Sequence, residues 1–357
     1  MPNERVSRAR AALGELGGDA ILVTNAFNRR YLTGFTGSAG VVLISAEHAA
    51  LVTDFRYREQ APQQAKGFEI AEHGPGLYGD VAALLAKWGV AKLLIEENDL
   101  NHATFLSIQE KLKPIELVLS NGIIEKQRVV KDEAEIAVIQ EAADLADRAF
   151  GHILGYIKPG VTEESVALEL EFFMRKEGAS GTSFETIVAS GERSSLPHGK
   201  ASDKIIGSGE FVTLDFGAYY KGYCSDITRT VVVGQPTDRH REIYAIVLEA
   251  QLHALANLRP GMTGHEGDAL TRDIITRYGY GEYFGHSTGH GIGLEVHEGP
   301  RLARNSDTIL TPGMIVTVEP GIYLPGFGGV RIEDDVVVTD DGIKILTRSP
   351  KELIVLD

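Results

Sequence analysis

The run KPGVTEESVALELEFFMRKEG, Lys158–Gly178, aligns without gaps on RPGMTGHEGDALTRDIITRYG, Arg259–Gly279. Pro159, Gly160, Thr162 and Gly178 fall on Pro260, Gly261, Thr263 and Gly279. A shared Pro-Gly turn alone would mean little, because such turns commonly end helices. The match continues, however: GEFVTLDFG from Gly209 lines up with GMIVTVEPG from Gly313, which sets Asp215 opposite Glu319. An ordered series of this length reads as an internal repeat. Each half is helix, Pro-Gly turn, helix and β-hairpin, so two similar α+β halves related by a pseudo-two-fold are expected.

Upstream of the repeat the pattern changes. Apolar residues recur at helical spacing over Arg5–Leu16, stop at Gly17-Gly18, and give way to the strand-like DAILVTN. RRYLTGFTGSAG, from Arg29, reads as a Gly-rich turn segment, and VVLISAEHAALVTD as two strands meeting near Ala46 to His48. Helical patterns over Tyr57–Lys66, Tyr78–Trp88 and His102–Leu112 are interleaved with the strands KLLIEE and IELVLS. This alternation predicts an α/β layer domain. The break into polar, charged residues around Ser120–Asp132, before a long amphipathic helix from Glu133, places the expected domains at 1–125 and 126–357.

A chain of 357 residues exceeds the usual single core. With 43% hydrophobic and 24% charged residues it reads as globular and not disordered. The formal net charge of −15 disfavours nucleic acid or an anionic membrane as the main partner, while a cation site is compatible with it. Cys224 is the single cysteine, so no intrachain disulfide can form. The first residues lack a charged segment followed by an apolar core, and no apolar window of about 18 residues occurs. A cytoplasmic, non-membrane protein is expected.

Chemistry concentrates in GHSTGHGIGLEVHE, Gly285–Glu298, which holds His286, His290 and His297 among glycines that let other groups approach closely. One imidazole rarely holds a metal alone, so carboxylate partners are sought. FVTLDFGAY and GYCSDITRTVVV read as a hairpin turning at Tyr220 and Lys221, which would put Asp215 directly opposite Asp226, with Cβ atoms about 4.5–5.5 Å apart. In the second hairpin Glu319 and Glu333 are equally spaced about Gly326. Opposed like charges repel unless one is protonated or a cation lies between them. Four carboxylates with His290 would be balanced by two divalent cations, with Mn²⁺ favoured and Co²⁺, Zn²⁺ or Fe²⁺ able to substitute. Asp334 and Asp335 are read as surface acids.

The series Asp215, Asp226, His290, Glu319 and Glu333 resembles the ligand set of the pita-bread metallopeptidases, which include methionine aminopeptidase, aminopeptidase P and prolidase. SLPHG around His198, HSTGHGIGLEVHE and GVRIEDDVVVT strengthen the resemblance from about Glu133 to the end. The first part is similar to the smaller creatinase-type domain. That domain, together with Arg331 and His297, implies the proline-specific branch: an exopeptidase cleaving Xaa-Pro bonds in dipeptides or at the start of longer peptides. By resemblance, Asp226 and Glu333 bridge two metals, Asp215 chelates one, and His290 and Glu319 bind the other. Glu319 would also take the proton of the attacking water, His198 and His297 would donate to the substrate oxygen or leaving nitrogen, and His286 would shape the proline side. Arg331 would anchor substrate or orient a carboxylate, unless it is a simple cross-strand ion pair. A homodimer is implied too. The alternatives are a methionine aminopeptidase-like enzyme and a peptide- or metal-binding module without turnover, although broken ligands would be expected of the latter.

Overall fold

AILV and VVLIS bury every one of their side chains, as strands covered on both faces do. In the computed structural model, which describes residues 2–357, they lie at the centre of the first of two compact units. One unit ends at Arg128 and the other is Val129–Asp357. The first holds β1 (Ala20–Val23), β2 (Val41–Ser45), β3 (Ala49–Thr53), β4 (Glu69–Glu72), β5 (Lys92–Glu96) and β6 (Glu116–Ser120) in one sheet ordered β4-β3-β2-β1-β5-β6. The β1–β2 and β2–β3 pairs are antiparallel and the others parallel. Helices Leu77–Lys87 and His102–Lys111 lay Val81, Leu85 and Ile108 on Leu22, Leu43, Val52 and Leu93.

Two helices lie where the sequence reading has none, Ala26–Thr33 and Ile123–Arg128. The first occupies part of the supposed Gly-rich turn. Asn25 caps it by accepting from the N–H groups of Phe27 and Asn28, and Gly34 ends it in the left-handed conformation. That glycine is a helix stop, so the turn-like composition begins only after the helix is complete. The expected helix over Tyr57–Lys66 shrinks to a 3₁₀ turn at Phe55–Tyr57, capped by Asp54, and a short helix at Gln60–Gln64.

The second unit repeats itself as the aligned runs predict. Helices Glu133–Ile153 and Glu163–Lys176 are matched by Asp238–Asn257 and Gly264–Arg277. The repeat extends to single hydrogen bonds. Gly160 N–H donates to Ile206 O as Gly261 N–H does to Leu310 O, and Glu163 N–H to Lys204 O as Gly264 N–H to Thr308 O. Thr162 and Thr263 both cap their helices, accepting from Ser165 N–H and Glu266 N–H. The first helix pair packs Phe150, Val166 and Leu170 on Val212, Leu214 and Val231 of the first hairpin. Among the second pair, Ala254 packs with Val316, Val318 and Val336 of the second hairpin. Strands Glu210–Phe216 and Ile227–Val233 belong to a four-stranded sheet, Ile315–Val318 and Asp334–Val338 to a five-stranded one. The two hairpins meet where Glu333 N–H donates to Thr228 O at 3.1 Å.

One register differs from expectation. Asp215 pairs with Thr228, and not with Asp226. The turn is Lys221-Gly222, with φ of 49° and 89°, and Tyr219 pairs with Cys224. Positive φ at both central positions is the signature of the type I′ hairpin turn, which Gly222 adopts without strain and Tyr220 would not. Moving the turn by one residue puts Asp226 diagonal to Asp215. The second hairpin keeps the expected spacing: Val318 pairs with Asp334 and Gly321 with Arg331, which sets Glu319 against Glu333 between them.

Candidate metal centre

His290 sits on the short strand Gly289–Gly291 because its neighbours have no side chains. A Cβ on Gly289 would lie 1.9 Å from Thr317 O, and one on Gly291 2.0 Å from Gly299 O. Any larger residue would push this strand out of its sheet. The His290 Nδ1–H donates to its neighbour's carbonyl, Gly291 O, at 3.0 Å. That leaves the Nε2 lone pair directed at acids: Glu319 Oε1 is 3.4 Å away and Asp226 Oδ2 3.7 Å. Ligand atoms of Asp226, His290 and Glu333 all lie within 4.8 Å of one another.

This convergence is unfavourable as it stands. Asp226 and Glu333 are 4% and 2% exposed. Burial, followed by the charge of Glu333 and Asp215, drives Asp226 well above the usual carboxylate range; burial, followed by Glu319 and Asp215, does the same to Glu333. Glu319 is pushed up to about 8 by burial, with Arg331 opposing and Asp215 adding. Burial also lowers His290 to about 4, so its imidazole is neutral. Asp215 Oδ1 and Asp226 Oδ1 are buried without a hydrogen-bond partner. Carboxylate oxygens facing an imidazole lone pair, with two orphaned acceptors beside them, fit a cation that would take the place of the protons these acids otherwise hold. The donor set of oxygens and one imidazole nitrogen, without thiolate, suits hard to borderline divalent ions.

Supporting groups hold these side chains in place. Thr228 Oγ1 donates to Glu333 Oε2 at 2.6 Å, and Thr317 Oγ1 to Glu319 Oε1 at 3.2 Å. Asp335 Oδ2 accepts the Asp226 N–H at 2.9 Å. Asp334 and Asp335 are both fully buried, contrary to their reading as surface acids. Strand Asp334–Val338 is covered on both faces, and each acid has a partner there. Burial works to raise Asp334, but Arg229 at 2.8 Å and Lys351 at 3.1 Å hold it below the usual range.

All nine residues singled out in the sequence line one cavity of about 560 Å³: His198, Asp215, Asp226, His286, His290, His297, Glu319, Arg331 and Glu333. Arg331 is 3% exposed and directs four of its five N–H groups at protein acceptors. Nη2 bonds Asp215, Nη1 donates to Tyr323 OH at 2.8 Å and to Pro197 O at 3.3 Å, and Nε donates to Thr228 at 3.0 Å. Because arginine only donates, the Tyr323 oxygen accepts, and its own proton is free for His286 Nε2 at 2.8 Å. Nδ1–H of His286 donates to Ser287 O at 2.8 Å. Burial lowers His286 to about 4, consistent with a neutral ring bonded at both nitrogens.

Tyr323, Thr228 and Thr317 are absent from the sequence reading, and Asp335 enters it only as a surface acid. Strand parity gives a signal for Tyr323, which shares a face with Glu319 and lies diagonal to Arg331 across the hairpin. Thr228 could have been found only with the turn correctly placed. No helix among the described residues is long and apolar enough to cross a membrane.

Comparison with known proteins agrees with this arrangement. Residues 137–340 match the model of metallopeptidase family M24, and residues 5–130 that of the Creatinase/Prolidase N-terminal domain. The Xaa-Pro dipeptidase of Pyrococcus horikoshii is 41% identical over 99% of each chain. Among solved structures, an Xaa-Pro dipeptidase from Bacillus anthracis superimposes with a TM-score of 0.98 at 57% identity, covering 100% of both chains. An X-Pro aminopeptidase from Thermotoga maritima does so with 0.91 at 42%, covering 97% of this chain and 100% of that one. With its repeated halves, its buried acids around His290 and its N-terminal unit, the chain belongs to metallopeptidase family M24, with a creatinase-type N-terminal domain followed in sequence by a pita-bread catalytic domain.

Proposed function

We propose that the protein is a dinuclear metal-dependent exopeptidase that hydrolyses Xaa-Pro bonds, in dipeptides or at the N-terminus of longer peptides. The observation that carries this reading is the cluster of buried acids around the neutral His290, with the Oδ1 atoms of Asp215 and Asp226 unpartnered. Asp226 and Glu333 would bridge two ions, Asp215 would chelate one, and His290 and Glu319 the other, with Mn²⁺ favoured over Co²⁺ or Zn²⁺. When bound, such ions activate a water and polarise the scissile carbonyl. The names of the relatives support the substrate class. The cavity, at about 560 Å³, is of a size that takes a small peptide.

The chain's own groups divide the remaining work. Glu319, 15% exposed and 3.4 Å from His290, receives the proton of the attacking water. His198 and His297 donate to the substrate oxygen or to the departing nitrogen, which in proline carries no hydrogen of its own. His286, with both ring nitrogens bonded to protein, serves as a wall on the proline side. Arg331, with four of its five N–H groups on Asp215, Tyr323, Thr228 and Pro197, orients Asp215. The acidic cavity attracts the free α-amine that an exopeptidase must recognise. A homodimer in the cytoplasm completes the proposal, in keeping with the single cysteine.

Metal-stripped protein supplied with Mn²⁺ and assayed in parallel on Xaa-Pro and Xaa-Pro-Xaa tests this reading. Cleavage of the dipeptide alone makes it a dipeptidase, and release of the first residue from the longer peptide an aminopeptidase. Cleavage of a peptide beginning Met-Ala in place of both would move the assignment to a methionine aminopeptidase. No cleavage with Mn²⁺, Co²⁺ or Zn²⁺ would sink it in favour of a binding role.

A further inference from the structure

His198 lines the cavity, yet among the described residues its ring is held by no hydrogen bond. Its position therefore rests on its backbone, which lies between strands Ile187–Ser190 and Glu210–Phe216. One carboxylate anchors that segment at several points. Glu163, the first residue of helix Glu163–Lys176, is 0% exposed. Its Oε1 accepts from the Ser190 N–H at 2.7 Å and the Ser190 hydroxyl at 2.9 Å. Its Oε2 accepts from Arg193 Nε at 3.0 Å, the Ser202 N–H at 3.2 Å and the Ser202 hydroxyl at 2.7 Å. Arg193 in turn donates Nη2 to Lys200 O at 2.6 Å. Residues 190–202 are thus closed around Glu163, with the turn carrying His198 between Arg193 and Lys200.

A buried carboxylate is costly unless its oxygens are satisfied, and the fold alone does not call for one here. The equivalent residue in the second half is Gly264, where a Cβ would lie 2.1 Å from Arg301 O. The flanking backbone bonds are nevertheless the same in both halves. Only the half that delivers His198 carries the carboxylate.

We propose that Glu163 is a positioning residue for His198: by closing the 190–202 segment it holds the imidazole at the cavity wall, where it can donate to substrate. The inference rests on the peptidase reading above. Its test is a double-mutant cycle in Mn²⁺-reconstituted protein, measuring kcat and KM on an Xaa-Pro peptide for the wild type, Glu163→Gln, His198→Ala and the double variant. Glutamine keeps the size but turns an amide N–H₂ toward existing donors. Misplacing a catalytic group is expected to lower kcat about tenfold, with KM within about twofold. In the His198→Ala background the same substitution is expected to cost less than about twofold, because the group it positions is gone. Equal losses in both backgrounds, or no loss in either, overturn the proposal.

A second readout needs no turnover. The His198 Cε1–H resonance, assigned by its absence in His198→Ala, is expected to shift or broaden in Glu163→Gln; an unchanged resonance overturns the proposal. Should the wild type cleave no Xaa-Pro peptide, the peptidase reading fails while this signal still decides what Glu163 does. If Glu163→Gln does not fold, Ser202→Ala removes one anchor and is read by the same two measurements.

Discussion

At the scale of single residues, the site is a problem of excess negative charge solved by position. Asp226 and Glu333 are driven well above the usual carboxylate range by burial and by the neighbouring acids, Glu333 and Asp215 for the first and Glu319 and Asp215 for the second, while Arg331 is committed to Asp215 and Tyr323. Tyr323 connects that arginine to His286 through one hydroxyl. Replacing it by phenylalanine leaves the ring in place and removes only the link. Since a hydrogen bond to a charged group is worth about 1.5–3 kcal/mol, Tyr323→Phe should lower kcat on an Xaa-Pro peptide about tenfold. Metal content, measured by elemental analysis, should stay at the wild-type level. An unchanged kcat would mean that the link has no part in the chemistry.

At the scale of elements, the two hairpins bring acids from distant parts of the chain together, and their turns set which residues face each other. The Lys221-Gly222 turn places Asp215 against Thr228, whose hydroxyl then reaches Glu333 across to the other hairpin. A β-branched residue at the φ of 89° held by Gly222 would be strained. Gly222→Val is therefore expected to cost about 1–3 kcal/mol and to lower the urea midpoint accordingly. The repeat of helix, turn and hairpin was legible because its Pro-Gly and Thr positions mark helix ends that both halves need. The turn was misplaced because Tyr-Lys and Lys-Gly differ by one step in a stretch rich in β-forming residues, where only the preference of glycine for positive φ decides. The Ala26–Thr33 helix was hidden for a related reason, since its stop at Gly34 merges with the glycines that follow. Burial of Asp334 and Asp335 could not be read locally: their partners Arg229, Lys351 and the Asp226 N–H come from distant parts of the chain.

At the scale of the whole molecule, the acid cluster couples stability to pH and to metal. Glu319 has its folded value raised to about 8 from an ordinary 4.5, so the folded state holds a proton that the unfolded chain releases. Its contribution is fully present below about 4.5 and is lost as pH rises through about 8. His286 and His290, lowered to about 4, act in the opposite sense, but only below the ordinary histidine value near 6.5. Between pH 6.5 and 8 the carboxylate effect remains. With chelator present, the melting temperature should fall across that window, whereas added Mn²⁺ should raise it and flatten the slope by supplying the missing positive charge. A melting temperature that is independent of pH and metal would contradict the assignment of these acids as ligands.

The measurement that tests the account most directly is a titration of metal-stripped protein with Mn²⁺, following Xaa-Pro hydrolysis and bound metal together, for the wild type and for Asp226→Asn. The account predicts no activity in the stripped protein and a rise that saturates near two ions per chain. It also predicts loss of both activity and tight binding in the variant, which lacks a charge the site depends on. Hydrolysis that persists without metal, or an Asp226→Asn protein that binds Mn²⁺ and cleaves Xaa-Pro as the wild type does, would contradict it.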